Sequence, residues 1–321
     1  MQILDISRVK KYFPVTSGVL LRHTGNIHAV DDVSFSVNKG ETLGIVGESG
    51  CGKTTLGRCI MGLYPLTAGK ITLDGQCLST LNAVEKKAFS TRVQMIFQDP
   101  FESLNPRQTV KQILEEKYHI HGRSGKTVTT EIGGLLGKVG LNRDDLLKYP
   151  HEFSGGQRQR IGIARAVSMT PEIIVCDEPV SALDVSVQSK ILNLLLDLQE
   201  RMDLTYLFIS HDLSVVRHMS DRIVVMYLGK IMEIADAHTL YTSPKHPYTE
   251  ALLDAIPIPD PDQPTSKNPL KGEIPSVEHP PTGCRFNTRC PHAQDLCREK
   301  EPGLIPNAED ASHMTACHFF H

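Results

Sequence analysis

One short motif constrains the fold of this chain more than any other feature. It reads Gly47-Glu48-Ser49-Gly50-Cys51-Gly52-Lys53-Thr54 and fits the phosphate-loop pattern G-x-x-x-x-G-K-[ST]. The apolar run Leu43-Gly44-Ile45-Val46 precedes it, and a helical pattern from Thr55 to Met61 follows it. A strand that leads through such a loop into a helix is typical of α/β nucleotide-binding folds. A glycine turn outside this context would indicate only a change of chain direction.

The residue types of this motif predict a triphosphate site. Backbone N–H groups in a glycine-rich loop can close on phosphate oxygens, and the helix N-terminus adds partial positive charge. We expect Lys53 to reach the β and γ phosphates and the Thr54 hydroxyl to bind Mg²⁺. Thr55, the next residue, completes this part of the predicted site for ATP.

A second apolar run ends in two acids. Ile173-Ile174-Val175-Cys176 reads as a strand buried on both faces, so Asp177 and Glu178 follow at its C-terminal edge, where open α/β sheets bind ligands. We expect Asp177 to hold Mg²⁺ through water and Glu178 to act as the general base for an attacking water. Without a phosphate loop, the pair would read as two solvated acids at a strand end.

A third motif indicates one family among the proteins with phosphate loops. Phe153-Ser154-Gly155-Gly156-Gln157 precedes a helical stretch from Arg158 to Val167 and resembles the signature sequence of ABC ATPases, with Phe where Leu is usual. Its serine and glycine N–H groups would form an anion site at a helix N-terminus. In that family the anion is the γ-phosphate bound to the other protomer.

Further landmarks of that family follow in the expected order. Gln98 matches the Q-loop, whose amide touches Mg²⁺ or the lytic water. Asp184, at the end of Ser181-Ala182-Leu183-Asp184, matches the D-loop at the dimer interface. His211 matches the switch histidine that bonds the γ-phosphate and steadies the catalytic glutamate. Phe13 matches the aromatic residue that stacks on adenine, with Tyr12 as the alternative in register.

The resemblance covers residues 3 to 240 and implies a fold and a mechanism. The implied fold is α/β, with a RecA-like P-loop core, an antiparallel β subdomain and a helical subdomain at about 99–166, within a nucleotide-binding domain of residues 1–242. The phosphate loop and the signature would belong to opposite ends of a composite site. Two subunits would therefore meet head to tail around two nucleotides and separate after hydrolysis.

Composition limits the possible partners. The chain has 321 residues, 40% of them apolar, and a formal net charge of −3, which gives no indication of a nucleic-acid-binding surface. We recognise no signal peptide at the N-terminus, and no apolar run approaches the ~20 residues that span a bilayer. A pore would have to come from other chains.

Four cysteines lie inside ATPase elements at no metal-like spacing and read as reduced structural thiols: Cys51, Cys59, Cys77 and Cys176.

The C-terminal region, residues 243–321, differs from the rest. Eleven of the twenty prolines lie between Pro257 and Pro306, which excludes long helices and central strands. Metal binding could order such a region. Four cysteines are available for it, in the spacing C-x5-C-x6-C-x19-C: Cys284, Cys290, Cys297 and Cys317. The spacing lacks the C-x₂₋₄-C pairs of structural zinc sites and suits a cubane cluster at least as well.

A second resemblance bears on this choice. Pro280 to Phe286, Arg289-Cys290-Pro291 and His313 to Cys317 resemble the C-terminal extension of oligopeptide/dipeptide transporter ATPases. That resemblance implies a [4Fe–4S] cluster on the four cysteines, with Zn²⁺ as the alternative. The nearby histidines that could ligate zinc instead are His292, His313, His318 and His321.

The same resemblance implies a function. The segments 149–157 and 178–188 look like the second, F-type ATPase subunit of such importers, which implies a heterodimer with a related ATPase. Two transmembrane permease subunits, an extracytoplasmic peptide-binding protein and a place on the cytoplasmic face of the plasma membrane would complete the system. Alternatives are an importer ATPase for nickel or another solute, a soluble ABC ATPase that acts on ribosomes or DNA, and a P-loop kinase, which the signature argues against.

Overall fold

The computed structural model describes residues 1–17, 22–99, 103–256 and 272–319. The strands in these ranges are β1 (Gln2–Ser17), β2 (Arg22–Asn38), β3 (Thr42–Val46), β4 (Ala68–Leu73), β5 (Gln76–Cys77), β6 (Val93–Ile96), β7 (Ile173–Asp177), β8 (Thr205–Ile209), β9 (Arg222–Tyr227), β10 (Lys230–Asp236), β11 (Ile305–Pro306) and β12 (Met314–Thr315). The α-helices are Lys53–Ile60, Ala83–Arg92, Val110–Ile120, Lys126–Lys138, Gly155–Val167, Val185–Met202, Leu213–Met219, Ala237–Thr242, Pro247–Asp254 and Asp295–Glu299. Short 3₁₀ helices are Leu78–Thr80, Arg143–Leu147 and Pro150–Glu152.

The chain divides into two compact units that do not follow chain order. Unit 1 comprises Met1–Asn38, Thr42–Thr80 and Ile209–His321, and unit 2 comprises Lys39–Glu41 and Leu81–Phe208. These units are defined by packing and do not test the predicted division into residues 1–242 and 243–321, which stays a prediction.

Unit 1 contains two sheets. One is antiparallel, in the order β2-β1-β4-β5, and the other has the order β11-β12-β10-β9-β3. Strand β3 runs parallel to β9, with Leu43 opposite Arg222 and Val46 opposite Val225. Every residue of β3 is buried, as expected for an unbroken apolar run in a parallel sheet covered on both faces. The phosphate-loop motif therefore begins directly after the C-terminal end of a buried strand.

The C-terminal tail joins the second sheet of unit 1. Strand β12 pairs antiparallel with β10, with Glu233 opposite Thr315 and Ile234 opposite Met314. The Ala316 N–H also donates to the Met232 carbonyl at 2.8 Å. A proline-rich segment can take this place because Pro306 lies in β11, which is two residues long and is the edge strand of this sheet, where a missing N–H donor costs little.

A buried hydrogen-bonded pair fastens the tail to β10. The Glu233 carboxylate is 0% exposed and lies 2.6 Å from Nε2 of His313, which is 1% exposed. The backbone N–H groups of Lys245 and His246 donate to the same carboxylate at 2.7 and 3.1 Å. These partners satisfy an acid that would be strongly destabilising if it were buried alone.

Unit 2 combines three strands with the longer helices. Its strands have the order β8-β7-β6, and β6 and β7 are parallel. Capping boxes, in which the N-cap and the residue three positions later bond each other's backbone, begin the helices after Asn82, Thr109 and Ser154. The helix Val185–Met202 buries apolar residues on one face, including Ile191, Leu195 and Leu198.

No helix within the described ranges is both long enough and apolar enough to cross a bilayer.

The Glu233–His313 pair predicts a specific loss of stability. We expect His313→Ala to lower the free energy of unfolding by about 2–4 kcal/mol, because it leaves the Glu233 carboxylate buried with fewer partners. Urea denaturation of the full chain measures this. His318→Ala is the matched control, since His318 lies in the same tail but its ring nitrogen contacts a neutral backbone carbonyl, that of Lys300, in an exposed position. Equal effects of the two substitutions would contradict the proposed anchoring.

Candidate functional site

The predicted site residues fall into two sets, one in each unit. Unit 1 holds Phe13, the phosphate loop with Thr55, and His211, whereas unit 2 holds Gln98, the signature residues, the Asp177–Glu178 pair and Asp184.

The phosphate loop is folded tightly at two of its glycines. Gly47 and Gly52 have φ values of 149° and 108°. A Cβ on Gly47 would meet the Met226 carbonyl oxygen at 2.1 Å, and one on Gly52 would meet that of Ala29 at 2.0 Å. Both positions therefore require glycine for backbone conformation and for close approach. The loop is rigid where it leaves β3 and where it enters the helix Lys53–Ile60.

Lys53 is directed into the loop that precedes it. Its Nζ donates to the carbonyl of Gly47 at 2.6 Å and to that of Glu48 at 3.0 Å, and it contacts the Cys51 sulfur at 3.7 Å. The residue is 5% exposed. Thr54 and Thr55 follow in the first turn of the helix and are partly exposed. A lysine ammonium group beside the N-terminus of a helix fits the negative charge of nucleotide phosphates.

Glu48 is held by residues far along the chain. Both guanidinium Nη atoms of Arg289 bond its carboxylate, at 2.6 and 3.0 Å. Its backbone N–H donates to the Tyr248 hydroxyl at 2.9 Å. Residues 49 and 50 are exposed beyond it, while Cys51 is buried and burial raises the pKa of its thiol. The C-terminal region thus contacts the phosphate loop directly.

The two aromatic candidates near the N-terminus differ in their surroundings. The Tyr12 hydroxyl lies 2.5 Å from Asp31, and its ring packs against His28 at 4.3 Å between centroids. Phe13 is partly exposed and meets the Tyr64 ring edge-on at 5.4 Å. Because the Tyr12 ring is committed to these neighbours, the geometry favours Phe13 as the ring that could stack on a base.

Asp31 joins the start of unit 1 to its C-terminal region. Arg285 bonds it at 2.6 Å and Lys230 at 3.3 Å. Burial alone would raise the pKa of Asp31, but the Tyr12 hydroxyl and the two cations hold it below its usual range.

Unit 2 brings Gln98 and Glu178 into contact. The Gln98 amide Nε2 donates to the Glu178 carboxylate at 2.9 Å. Asp177 is the last residue of β7 and is 2% exposed, and the partly exposed Glu178 follows it with φ of 47°. Positive φ is unfavourable for a side chain other than glycine, and such strain often marks functional positions. The carboxylate is thus held by an amide at the end of a buried strand.

The signature residues form a packed helix start. Ser154 caps the helix Gly155–Val167, its hydroxyl accepting from the Gln157 N–H while the Gln157 side chain accepts from the Ser154 N–H at 3.0 Å. A Cβ on Gly156 would meet Val187 Cγ1 at 2.5 Å. The signature helix therefore packs against the helix that follows the D-loop only because Gly156 has no side chain. The exposed Ser154 leaves this helix N-terminus accessible to an anion.

The two remaining predicted residues lie at element ends. His211 is exposed between β8 and the helix Leu213–Met219. Asp184 is exposed and immediately precedes the helix Val185–Met202.

The predicted metal centre is wrong. Among the described residues, no group of three or more His, Cys, Asp or Glu side chains could hold a metal ion, so neither a [4Fe–4S] cluster nor zinc is supported. The four cysteines predicted as ligands line an apolar cavity of about 10 Å³: Cys284, Cys290, Cys297 and Cys317. The prediction assumed that the proline-rich tail needs a metal for order. Strand pairing, the Glu233–His313 pair and the arginine contacts supply that order instead.

The histidines considered as zinc ligands have other surroundings. His313 bonds Glu233, and His318 bonds the Lys300 carbonyl. His292 lines the same cavity as the cysteines, and His321 lies outside the described residues.

Sequence reasoning missed the residues that connect the C-terminal region to the phosphate loop. In the sequence, Arg289 is only a neighbour of Cys290 in the motif of the C-terminal extension, and Tyr248 belongs to none of the motifs described above. A partner separated by 241 residues leaves no periodic signal in a single sequence. The aromatic cluster of Tyr227, Tyr248 and Phe286 was also missed, although such rings in a proline-rich region could have indicated a small core.

Comparison with known proteins identifies the family. The profile described as ABC transporter matches residues 30–181, and the one described as oligopeptide/dipeptide transporter, C-terminal region, matches residues 232–297. The oligopeptide transport ATP-binding protein AppF of Bacillus subtilis is 52% identical over 324 residues, covering 99% of this chain and 97% of AppF. The chain belongs to the oligopeptide/dipeptide group of ABC transporter ATP-binding proteins. This family membership was predicted from the signature and the C-terminal motifs and is confirmed.

Solved structures agree with this fold. A dimeric post-hydrolysis structure of the ATP-binding cassette MJ0796 bound to ADP and Pi is 28% identical, with a TM-score of 0.64, and covers 73% of this chain and 99% of that one. CbiO1 from Clostridium perfringens, part of the ABC transporter complex CbiONQ, has the same TM-score at 21% identity and covers 75% of this chain and 91% of that one. The predicted ABC ATPase fold is confirmed.

The Gly156 contact predicts a local packing defect. We expect Gly156→Ala to lower the free energy of unfolding by about 1–3 kcal/mol, because the new methyl group overlaps Val187. Thermal or urea unfolding measures the change. In a Val187→Ala background, the same substitution should cost clearly less, since the overlapping methyl group is gone. An undiminished cost in that background would refute the packing explanation.

Proposed function

We propose that this protein is the ATP-hydrolysing subunit of an ABC importer for dipeptides or oligopeptides. The observation that carries the proposal is a phosphate loop built around Lys53 in a chain that matches an oligopeptide transport ATP-binding protein over 99% of its length. The proposed organisation is a nucleotide-binding domain at residues 1–242, with its helical subdomain at about 99–166, and an extension at 243–321.

The proposed ATP site consists of the residues that match the motifs of the family. Loop N–H groups and Lys53 bind the phosphates, and Phe13 stacks on the adenine. The Thr54 hydroxyl, the Gln98 amide and Asp177 would hold the magnesium ion, which when bound would supply positive charge to neutralise the phosphates.

Glu178 is the proposed general base. Its carboxylate is a hydrogen-bond acceptor fixed by the Gln98 amide, and it would orient a water and take its proton. His211 is proposed to contact the γ-phosphate and steady this carboxylate. Gln98 would thereby contact both the metal ion and the general base Glu178.

The signature residues are proposed to complete the site of a second ATPase subunit. Ser154 and the N–H groups of Gly155 and Gly156, with Gln157, stand at a capped and accessible helix N-terminus that suits a γ-phosphate. Asp184 would lie at the same interface. Closure of two subunits would place these donors where negative charge develops, and loss of γ-phosphate would allow separation.

The proposed partners follow from this arrangement. A related but distinct ATPase would complete a heterodimer, and two transmembrane permease subunits would form the pore. An extracytoplasmic peptide-binding protein would deliver the solute. The chain would then be held at the cytoplasmic face of the plasma membrane by its permease contacts.

Replacement of the proposed base gives the direct test. We expect Glu178→Gln to bind MgATP like the wild type but to hydrolyse it at least about 100-fold more slowly, because general-base catalysis is lost. Equilibrium nucleotide binding and phosphate release, measured on the assembled transporter, separate the two effects. Glu172→Gln is the control, since Glu172 precedes β7 and pairs with Arg92. Wild-type turnover in Glu178→Gln would remove Glu178 from this role.

A further inference from the structure

The strongest link between the C-terminal region and the phosphate loop is an arginine–carboxylate pair. Arg289 bonds Glu48 through both Nη atoms, at 2.6 and 3.0 Å, a geometry that fixes orientation as well as charge. The Arg289 side chain is 5% exposed and that of Glu48 is 21% exposed. Solvent screening of this pair is therefore weaker than for a surface ion pair.

Arg289 is itself held in place by neighbouring aromatic residues. Its guanidinium lies 5.7 Å from the centre of the Tyr227 ring and 3.3 Å from the Tyr227 hydroxyl. Its backbone N–H donates at 3.0 Å to the carbonyl of Phe286, whose ring is fully buried against Tyr227 and Tyr248. The hydrogen bonds that Arg289 donates to the Glu48 carboxylate raise the pKa of Arg289 above its usual value, so the arginine stays charged.

A carboxylate in a phosphate-binding loop presents an electrostatic difficulty. Glu48 is the second residue of the motif, and its carbonyl contacts the Lys53 ammonium. An uncompensated negative charge here would repel nucleotide phosphates and compete for the cation that should bind them. Arg289 both neutralises the carboxylate and keeps it bound away from Lys53.

We propose that Arg289 is a positioning residue that acts through Glu48 and sets the affinity of the phosphate loop for anionic nucleotide. The inference rests on the proposed ATP function and deepens it, because it gives the C-terminal extension a role in nucleotide binding. Tyr248 supports the same residue by accepting the Glu48 N–H.

The test is a double-mutant cycle on the full chain, in which the charges of Arg289 and Glu48 are removed singly and together. MgATP affinity is measured by titration calorimetry at low salt. We expect Arg289→Ala to raise the Kd for MgATP about tenfold, because the Glu48 charge is released. Glu48→Gln should lower the Kd a few-fold, since it leaves Arg289 positive beside the loop. The double variant should return to within about twofold of the wild type. Added KCl should reduce these differences.

Arg298→Ala is the matched control. Arg298 lies in the same extension, but its side chain is 59% exposed and pairs with Asp295, which is 94% exposed. This variant should bind MgATP like the wild type. Arg289→Lys should lie between the wild type and Arg289→Ala, because it keeps the charge but loses the bidentate geometry.

The outcomes separate the two proposals. Unchanged affinity in Arg289→Ala would overturn the inference, as would a loss that Glu48→Gln does not restore, since that would indicate general damage to the extension. Failure of the wild-type chain itself to bind MgATP would overturn the proposed function instead.

Discussion

The structure of unit 1 depends on the contacts that hold one residue of the phosphate loop, Glu48, in place. Glu48 is bonded through its carboxylate by Arg289, through its N–H by Tyr248 and through its carbonyl by Lys53. The first two partners come from the C-terminal region and the third from the loop's own helix. A loop whose backbone must present N–H groups to phosphate gains preorganisation from such contacts.

The C-terminal region shares the structure of unit 1 instead of forming a separate body within it. Strand β12 extends the sheet through β10, His313 pairs with Glu233, and Arg285 reaches Asp31 beside Tyr12. These contacts order the region without the metal cluster that the resemblance implied. The family profile of the oligopeptide/dipeptide C-terminal region begins at residue 232, inside β10. This boundary agrees with the packing of the C-terminal region against β10.

Local sequence patterns were sufficient for the features whose determinants are local. The apolar runs that became β3 and β7 are buried throughout, and the glycines of the phosphate loop lie where backbone geometry requires them. The signature helix begins at Gly155, earlier than its pattern predicted, because the Ser154 capping box compensates for two glycines of low helix propensity. Long-range partners such as Arg289 and Glu48 have no local signal. For the cysteines, the metal cluster that the resemblance implied was wrong, because the contacts that order the C-terminal region are long-range and have no local signal.

Hydrogen–deuterium exchange on the wild-type full chain, with and without MgATP, tests most directly whether the phosphate loop and the C-terminal extension act as one structural element. The account predicts that MgATP slows exchange both in residues 47–54 and in residues 284–297, because Glu48 and Arg289 join these segments. Protection confined to the phosphate loop, with exchange in the extension unchanged, would contradict it.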